Sequence, residues 1–325
     1  MTKKITMSFI ALIFSLLTIV GGASAETVSY KPSLVHKNGA MAYEHMKYLA
    51  YEIGSRVAGT DNERKAEQYI KGQFQRIGFE TTVQDFSYIR RGTTTNSSNV
   101  IAYKPGKSSK QIIVGAHYDS VSVGRGVDDN ASGVGVLLEV AEVLKNIPTP
   151  YSIVFIAFGA EETGLRGSNY YAANMTPAEI KNTIGMINMD SLAVGDKMYV
   201  YGGLGHAGFI RDQALEIVKK KKLHVGTNPG LNPVYPAGTT GDWSDHAPFK
   251  NLGIPYGYLE ATNWEIGALD GYDQTVKFGG VWHTANDTIE FIEREYPGRI
   301  HEHLSSFSTL LTDLLKFMGK TSTSK

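Results

Sequence analysis

The segment Tyr151–Phe158, YSIVFIAF, restricts the fold of this chain more than any other. It is rich in β-branched and aromatic residues and shows no alternation of polar and apolar positions. Such a strand buries both faces, which happens when helices cover a sheet on both sides. The surrounding sequence supplies those helices. Residues 34–53 read as a helix with Met46, Leu49, Ala50 and Ile53 on one face and Gly54 as the stop. Thr60-Asp61-Asn62-Glu63 matches a capping box and is expected to open a second helix, which carries Ala66, Ile70 and Phe74 and ends at Gly78. Residues 80–89, 99–103, 111–116, 184–189, 197–201 and 254–259 read as further strands. Helices are expected over 130–146, 206–222 and 297–318, the first and last with an apolar stripe at helical spacing. Strands alternating with helices predict an α/β single domain: a mixed, mostly parallel central sheet flanked by helices on both faces. Ligands of such sheets gather beyond the carboxyl ends of the strands.

The N-terminus reads differently. Lys3 and Lys4 precede an apolar stretch from Ile5 to Val20, and Ala23-Ser24-Ala25 follows. That is the pattern of a secretory signal peptide cleaved after Ala25, so residues 1–25 are expected to leave and 26–325 to form the folded domain. Without Lys3 and Lys4, 30 basic residues face 32 acidic ones, a net charge of −2. That balance points to no nucleic-acid partner and no membrane partner in the mature form. The chain has no Cys. An exported domain without disulfides must be held by its core, and any metal site in it must use nitrogen and oxygen ligands.

Chemistry-bearing residues recur just after the expected strands. His117-Tyr118-Asp119 follow one, Glu161-Glu162 follow YSIVFIAF, and Asp190 follows IGMINM. Asp128-Asp129 lie in the loop before the helix at 130, and His283 lies within WHT before another helix. Each has an ordinary explanation: a surface histidine, an acid at a helix N-terminus, a solvated pair, a turn former. Together they are harder to dismiss. Carboxylates at several neighbouring strand ends repel one another unless cations offset the charge.

The motifs GAHYDSV (115–121), GVDDNASG (126–133), AFGAEETGLRGS (157–168), NMDS (188–191), SDHAPF (244–249) and WHTANDT (282–288) resemble, in order and spacing, the M28 metallopeptidases. The likeness extends over nearly all of 26–325. It implies a secreted aminopeptidase acting on peptides with a free N-terminus, with two Zn2+ per chain. It implies Asp129 as the carboxylate shared by both ions; the spacing from His-x-Asp to GVDD favours it over Asp128. His117 and Asp190 match the ligands of one ion, Glu162 and His283 those of the other. Glu161 matches the general base, and Asp119 the carboxylate that orients the His117 imidazole. The roles suit the chemistry: zinc takes imidazole and carboxylate, paired ions activate a water, and a nearby glutamate moves its proton.

Other readings stay open on residues alone. A carboxypeptidase on this fold needs cationic side chains to grip the substrate carboxylate. A glutaminyl cyclase uses one zinc. A binding ectodomain would be expected to have lost ligands or base, and a closed structural metal site usually needs Cys. Gly203-x-Gly205-x-x-Gly208 matches a dinucleotide fingerprint without the acidic residue that should follow. Of the sequons at Asn96, Asn130, Asn174 and Asn286, the second and fourth fall inside site motifs and are not expected to carry glycans. The glycine-rich segment 262–281 is expected to wall the substrate pocket, with Glu265, Asp270 and Asp273 able to favour basic N-terminal side chains. The mature chain is expected to be a monomer.

Overall fold

The computed structural model describes residues 38–319, so the expected signal peptide and its cleavage site lie outside the described residues. In chain order the regular elements are α1 (Ala40–Lys47), α2 (Asp61–Ile77), β1 (Glu80–Arg90), β2 (Thr93–Lys104), β3 (Ser108–His117), α3 (Gly133–Leu144), β4 (Tyr151–Phe158), α4 (Arg166–Ala173) and α5 (Pro177–Asn182). They continue with β5 (Thr183–Met189), β6 (Lys197–Gly202), α6 (Phe209–Lys221), β7 (Val225–Gly226), α7 (His246–Asn251), β8 (Tyr256–Thr262), α8 (Ile289–Glu295) and α9 (Arg299–Phe317). The strands form one sheet in the order β1-β2-β4-β3-β5-β8-β6-β7. Its centre, β4-β3-β5-β8, is parallel, while β1 and β2 continue it antiparallel on one side and β6 pairs antiparallel with β8 on the other.

The lack of alternation in β4 now has its cause. Ile153, Phe155 and Ala157 enter the large core, against the face covered by α1, α2, α3, α6 and α9. Val154, Ile156 and Phe158 enter a second core on the opposite face, with Phe249 of α7 and Ala172 of α4. Each large apolar side chain buried this way contributes about 1.5–3 kcal/mol. Helix α1 lies so close to α3 that a Cβ on Gly135 would sit 2.3 Å from the Ala42 carbonyl oxygen. The buried Glu139 carboxylate accepts the N–H groups of Gly39 and Ala42 at 2.6 and 2.8 Å, satisfying donors at the start of α1.

Several boundaries differ from expectation. Strand β2 starts at Thr93, six residues earlier than the apolar signal, because Thr93–Ser98 pair with β1 in an outer, largely solvent-facing hairpin. The helix expected from 130 begins at Gly133, preceded by a wide turn over Val127–Ser132 in which Asp129 and Asn130 leave helical geometry. Helix α1 passes into another wide turn, Tyr48–Ile53, before Gly54. The glycine fingerprint forms a tight turn between β6 and α6, where a Cβ on Gly208 would meet the Gly203 carbonyl oxygen at 2.5 Å.

The long β3–α3 connection carries much of the candidate site, and one buried side chain pins it. The Arg56 guanidinium is fully buried and donates to the carbonyls of Tyr118 (2.7 Å), Gly126 (2.8 Å), Arg125 (3.0 Å) and Gly54 (3.2 Å). A carbonyl left unpaired in the interior costs about 1–3 kcal/mol. Arg56→Met should therefore destabilise the domain by about 3 kcal/mol or more. A lower urea midpoint with unchanged slope is the expected result; a midpoint matching the parent's would show that the guanidinium does not hold the loop.

Candidate active site

Parallel strands β3, β4 and β5 end side by side, so the residues that follow them share one edge of the sheet. His117 closes β3, Glu161 and Glu162 follow β4, and Asp190 follows β5. Asp129 comes from the wide turn before α3, and His283 from the segment before α8. The backbone bends sharply at these points: Ala160, Ser191 and His283 have φ of 55°, 53° and 58°. A non-glycine residue held in that left-handed region costs about 1–3 kcal/mol, which the surrounding packing must offset.

All five side chains assigned by resemblance as ligands meet. Asp129 turns one oxygen to each histidine: Oδ1 lies 3.1 Å from His117 Nε2, and Oδ2 lies 3.1 Å from His283 Nε2. Asp190 Oδ1 lies 3.2 Å from His117 Nε2, and Glu162 Oε2 lies 2.7 Å from His283 Nε2. Two triads result, His117–Asp129–Asp190 and Asp129–Glu162–His283, each with one ligand atom per residue within 4.8 Å of the others. Glu161 joins His117 and Glu162 in a third such group.

The electrostatics fit cations. Burial works to lower the His117 imidazolium pKa, yet Asp190, Glu161, Asp119 and Asp129 outweigh it and raise it well above its ordinary value. Burial likewise opposes the rise at His283, but Asp129 and Glu162 lift it to about 10. At Asp129 burial favours the neutral acid, and the two histidines overcome it and hold the carboxyl below its usual range. Glu162 is pushed up to about 7 by burial and by Asp129. The cluster is thus short of positive charge and draws protons onto its histidines. In addition, Glu162 Oε1 is buried without a hydrogen-bond partner. An imidazole- and carboxylate-lined site with an orphaned oxygen suits a divalent metal.

The supporting shell combines Asp119, expected from the resemblance, with residues that the sequence did not single out. Asp119 Oδ1 stands 3.6 Å from His117 Nδ1, and its backbone carbonyl stands 3.2 Å from the same nitrogen. The same carboxylate accepts the N–H groups of Glu161 (2.9 Å) and Glu162 (3.2 Å), tying the β3 and β4 ends together. Ser244 donates to Asp190 Oδ2 at 2.6 Å and accepts from Asn188 at 2.7 Å. Asp128 faces away from the histidines. Its oxygens accept from Ala193 N (2.6 Å), Val194 N (3.1 Å) and Gln274 Nε2 (2.6 Å). Gln274 Oε1 in turn accepts from Val281 N (2.8 Å) and Trp282 N (3.0 Å). Gln274 therefore links the backbone beside Asp129 to the backbone beside His283. Asp287 accepts the Asp128 and Asp129 N–H groups at 2.7 and 3.3 Å. Asn130 is buried, donating to the Met189 carbonyl at 2.9 Å.

Beside the cluster opens a cavity of about 480 Å³, which also reaches Tyr235, Trp243, Tyr258, Glu260, Asp270, Tyr272 and Trp282. Segment 262–281 does wall it, through Asp270, Gly271, Tyr272 and Gln274. Trp264, fully buried, pins that segment by donating to Tyr201 Oη at 2.7 Å. Two of the three expected acids are elsewhere. Glu265 pairs with Lys197 at 2.6 Å and lines a separate hollow, because the chain turns back after Trp264. Asp273 packs against Gly267 and Gly279 within its own loop.

The parallel centre of the sheet thus carries a charged array at its carboxyl edge, with an open cavity beside it. The chain belongs to peptidase family M28, whose profile matches residues 99–308. It is 36% identical over 319 residues to the Alkaline phosphatase isozyme conversion protein of Escherichia coli, covering 88% of this chain and 92% of that protein. It is 33% identical over 210 residues to Aminopeptidase YwaD of Bacillus subtilis, covering 62% of this chain and 42% of that longer protein. Among solved structures, BSAP, a zinc aminopeptidase from Bacillus subtilis, superposes with a TM-score of 0.71 at 20% identity, over 87% of this chain and 97% of that one. A Porphyromonas gingivalis glutaminyl cyclase does so at 0.65 and 22%, over 86% and 99%. Both structural likenesses speak to the fold.

Gln274→Ala should loosen the spacing between Asp129 and His283 and weaken divalent-metal affinity by about tenfold or more. Chelator competition on the purified protein measures this; an unchanged chelator midpoint would remove Gln274 from the support of the site.

Proposed function

We propose that this protein is an exported aminopeptidase that removes N-terminal residues from peptides, with two Zn2+ ions held by His117, Asp129, Glu162, Asp190 and His283. The reading rests chiefly on one observation: Asp129 divides its oxygens between two histidines, each of which also faces a second carboxylate. One triad holds His117 and Asp190, the other Glu162 and His283, and Asp129 belongs to both. Ions bound there would supply Lewis acidity, acidifying a water and stabilising charge on the scissile carbonyl oxygen.

The chain's own residues do the rest. Glu161 stands at the cavity wall next to both triads and takes the proton of the attacking water. Burial, Asp245, Asp190 and Glu162 together raise its carboxyl well above the ordinary range, against the pull of His117. A base so placed holds the proton long enough to deliver it to the leaving amine. Asp119, by accepting both backbone N–H groups of the Glu161–Glu162 turn, sets the base and one ligand at a constant separation. Glu162 and Glu161 are consecutive and serve different partners.

The cavity lining also bears on the rival activities. Among the described residues its lining includes no Lys or Arg, the side chains that would grip the carboxylate of a carboxypeptidase substrate. It holds several carboxylates that suit a free α-ammonium. The presence of both complete triads favours two metals over the single zinc of a cyclase, and the presence of Glu161 favours catalysis over binding alone. Residues 1–25 serve as the signal peptide, cleaved after Ala25, and 26–325 as a monomeric catalytic domain. Among the described residues no helix is long and apolar enough to cross a membrane. Neither nucleic acid nor membrane is a partner in this reading.

Two measurements test the proposal. Chelation should abolish hydrolysis of aminoacyl p-nitroanilides and zinc should restore it, with N-acetylated analogues uncleaved throughout; cleavage of the blocked compounds at a similar rate would remove the aminopeptidase reading. Glu161→Gln should retain bound zinc and lose activity by about 10²–10⁴-fold. A near-parental rate in that variant would show that the proton moves elsewhere.

A further inference from the structure

The cavity is also lined by a carboxylate that the hydrolytic chemistry does not use. Glu260 lies on β8 and lines the cavity, yet it is nine-tenths buried. Its oxygens are held by two phenols: Tyr201 Oη donates to Oε2 at 2.8 Å, and Tyr258 Oη donates to Oε1 at 3.1 Å. Tyr201 itself accepts from Trp264 Nε1 at 2.7 Å, so the carboxylate is fixed from behind by a buried aromatic network. Among the described residues no Lys, Arg or His forms an ion pair with Glu260 or with Asp270 at the cavity rim. The remaining acid on this side, Asp242, is already met by Lys250 at 2.7 and 2.9 Å.

A buried carboxylate with no cationic partner is costly, and burial together with Asp190 pushes Glu260 up to about 8 against the pull of its tyrosines. Aromatic rings alone would make the cavity a pocket for leucine or phenylalanine side chains. Here the rings of Tyr235 and Trp243, 5.5 Å apart at their centroids, line the same cavity as Glu260 and Asp270. Such a wall receives the apolar stem of a long side chain, and its faces attract the charged end.

We infer that Glu260 selects substrates whose N-terminal residue carries a cationic side chain, arginine or lysine, which it meets as the missing counter-ion in this aromatic-lined cavity. The inference rests on the aminopeptidase reading and adds the substrate class to it. A cationic side chain brings its own positive charge to an oxygen pair already oriented by Tyr201 and Tyr258. A planar guanidinium can address both oxygens at once.

The test compares arginine, lysine, leucine and citrulline p-nitroanilides on the zinc-loaded protein. Citrulline has the shape of arginine without its charge. The parent should prefer arginine to citrulline by about tenfold or more in kcat/KM, the worth of one charged hydrogen-bonded contact. Glu260→Gln should lower the arginine-to-leucine ratio by about tenfold, mainly through KM, with its melting temperature checked beside the parent. Asp270→Asn, at the solvent-facing rim, should shift the ratio in the same direction by less and guards against a folding defect in the first variant. Equal turnover of arginine and citrulline by the parent would overturn the inference. So would an E260Q variant that folds and loses arginine and leucine activity in equal proportion, since the carboxylate would then serve the α-ammonium common to all substrates. If the zinc-loaded parent cleaves none of the four compounds, the aminopeptidase reading itself fails and takes the inference with it.

Discussion

Asp129 offers one oxygen to His117 and the other to His283, and the rest of the site is arranged around that division. A carboxylate can address two partners in this way only if its backbone is held still from both sides. The turn that carries it leaves helical geometry at Asp129 and Asn130, then enters α3 at Gly133. Asp287 receives the Asp128 and Asp129 N–H groups from one side, and Asn130 reaches the Met189 carbonyl on the other. Few other sequences would tolerate that path, because almost every polar group along it is buried and already paired.

Charge sets the second constraint. Asp129, Asp190, Glu161 and Glu162 crowd one sheet edge, and in a low-dielectric setting they cannot all be ionised without compensation. Both histidines respond by gaining proton affinity, which shows how strongly the cluster favours positive charge. The proposed metals would take that role. Hydrogen bonds tie the cluster to its surroundings: Asp119, Ser244 and Gln274 each join a charged residue or its backbone to a neighbouring element. Such outer contacts orient ligands and shape the affinity of a metal site.

The fold explains why these groups meet. Strands β3, β4 and β5 are parallel neighbours, so His117, Glu161, Glu162 and Asp190 leave the sheet in the same direction. Helix α9 and its partners cover one face, α4 and α7 the other, leaving the carboxyl edge open. The segment after β8 then folds back as a wall, anchored by Trp264. It walls the cavity together with Tyr258 and Glu260 of β8, the strand that pairs with β5 beside Asp190.

Much of this was legible in the sequence. The unbroken apolar run of Tyr151–Phe158 announced a strand covered on both faces, because a strand side that meets water needs polar residues. The motif residues could be named because their order and spacing are specific to a family, and their position after strands put them at one edge. What the sequence could not reveal was contact across long separations. Gln274 lies 146 residues from Asp128, Asp287 lies 159 from it, and Arg56 reaches carbonyls of a loop some 70 positions away. Glu260 falls just past the late strand expected over 254–259 and carried no signal of its own, and Glu265 and Asp273 looked like pocket residues because they share a loop with Asp270. Which side of a loop faces the cavity depends on how Trp264 packs, and packing is decided by the whole core. The sequence by itself determined the layered sheet and the kind of chemistry at its edge, since periodicity and residue type act locally. Only the tertiary structure decided which acids meet a histidine, a tyrosine or nothing, since hydrogen bonds and charge depend on distance in space.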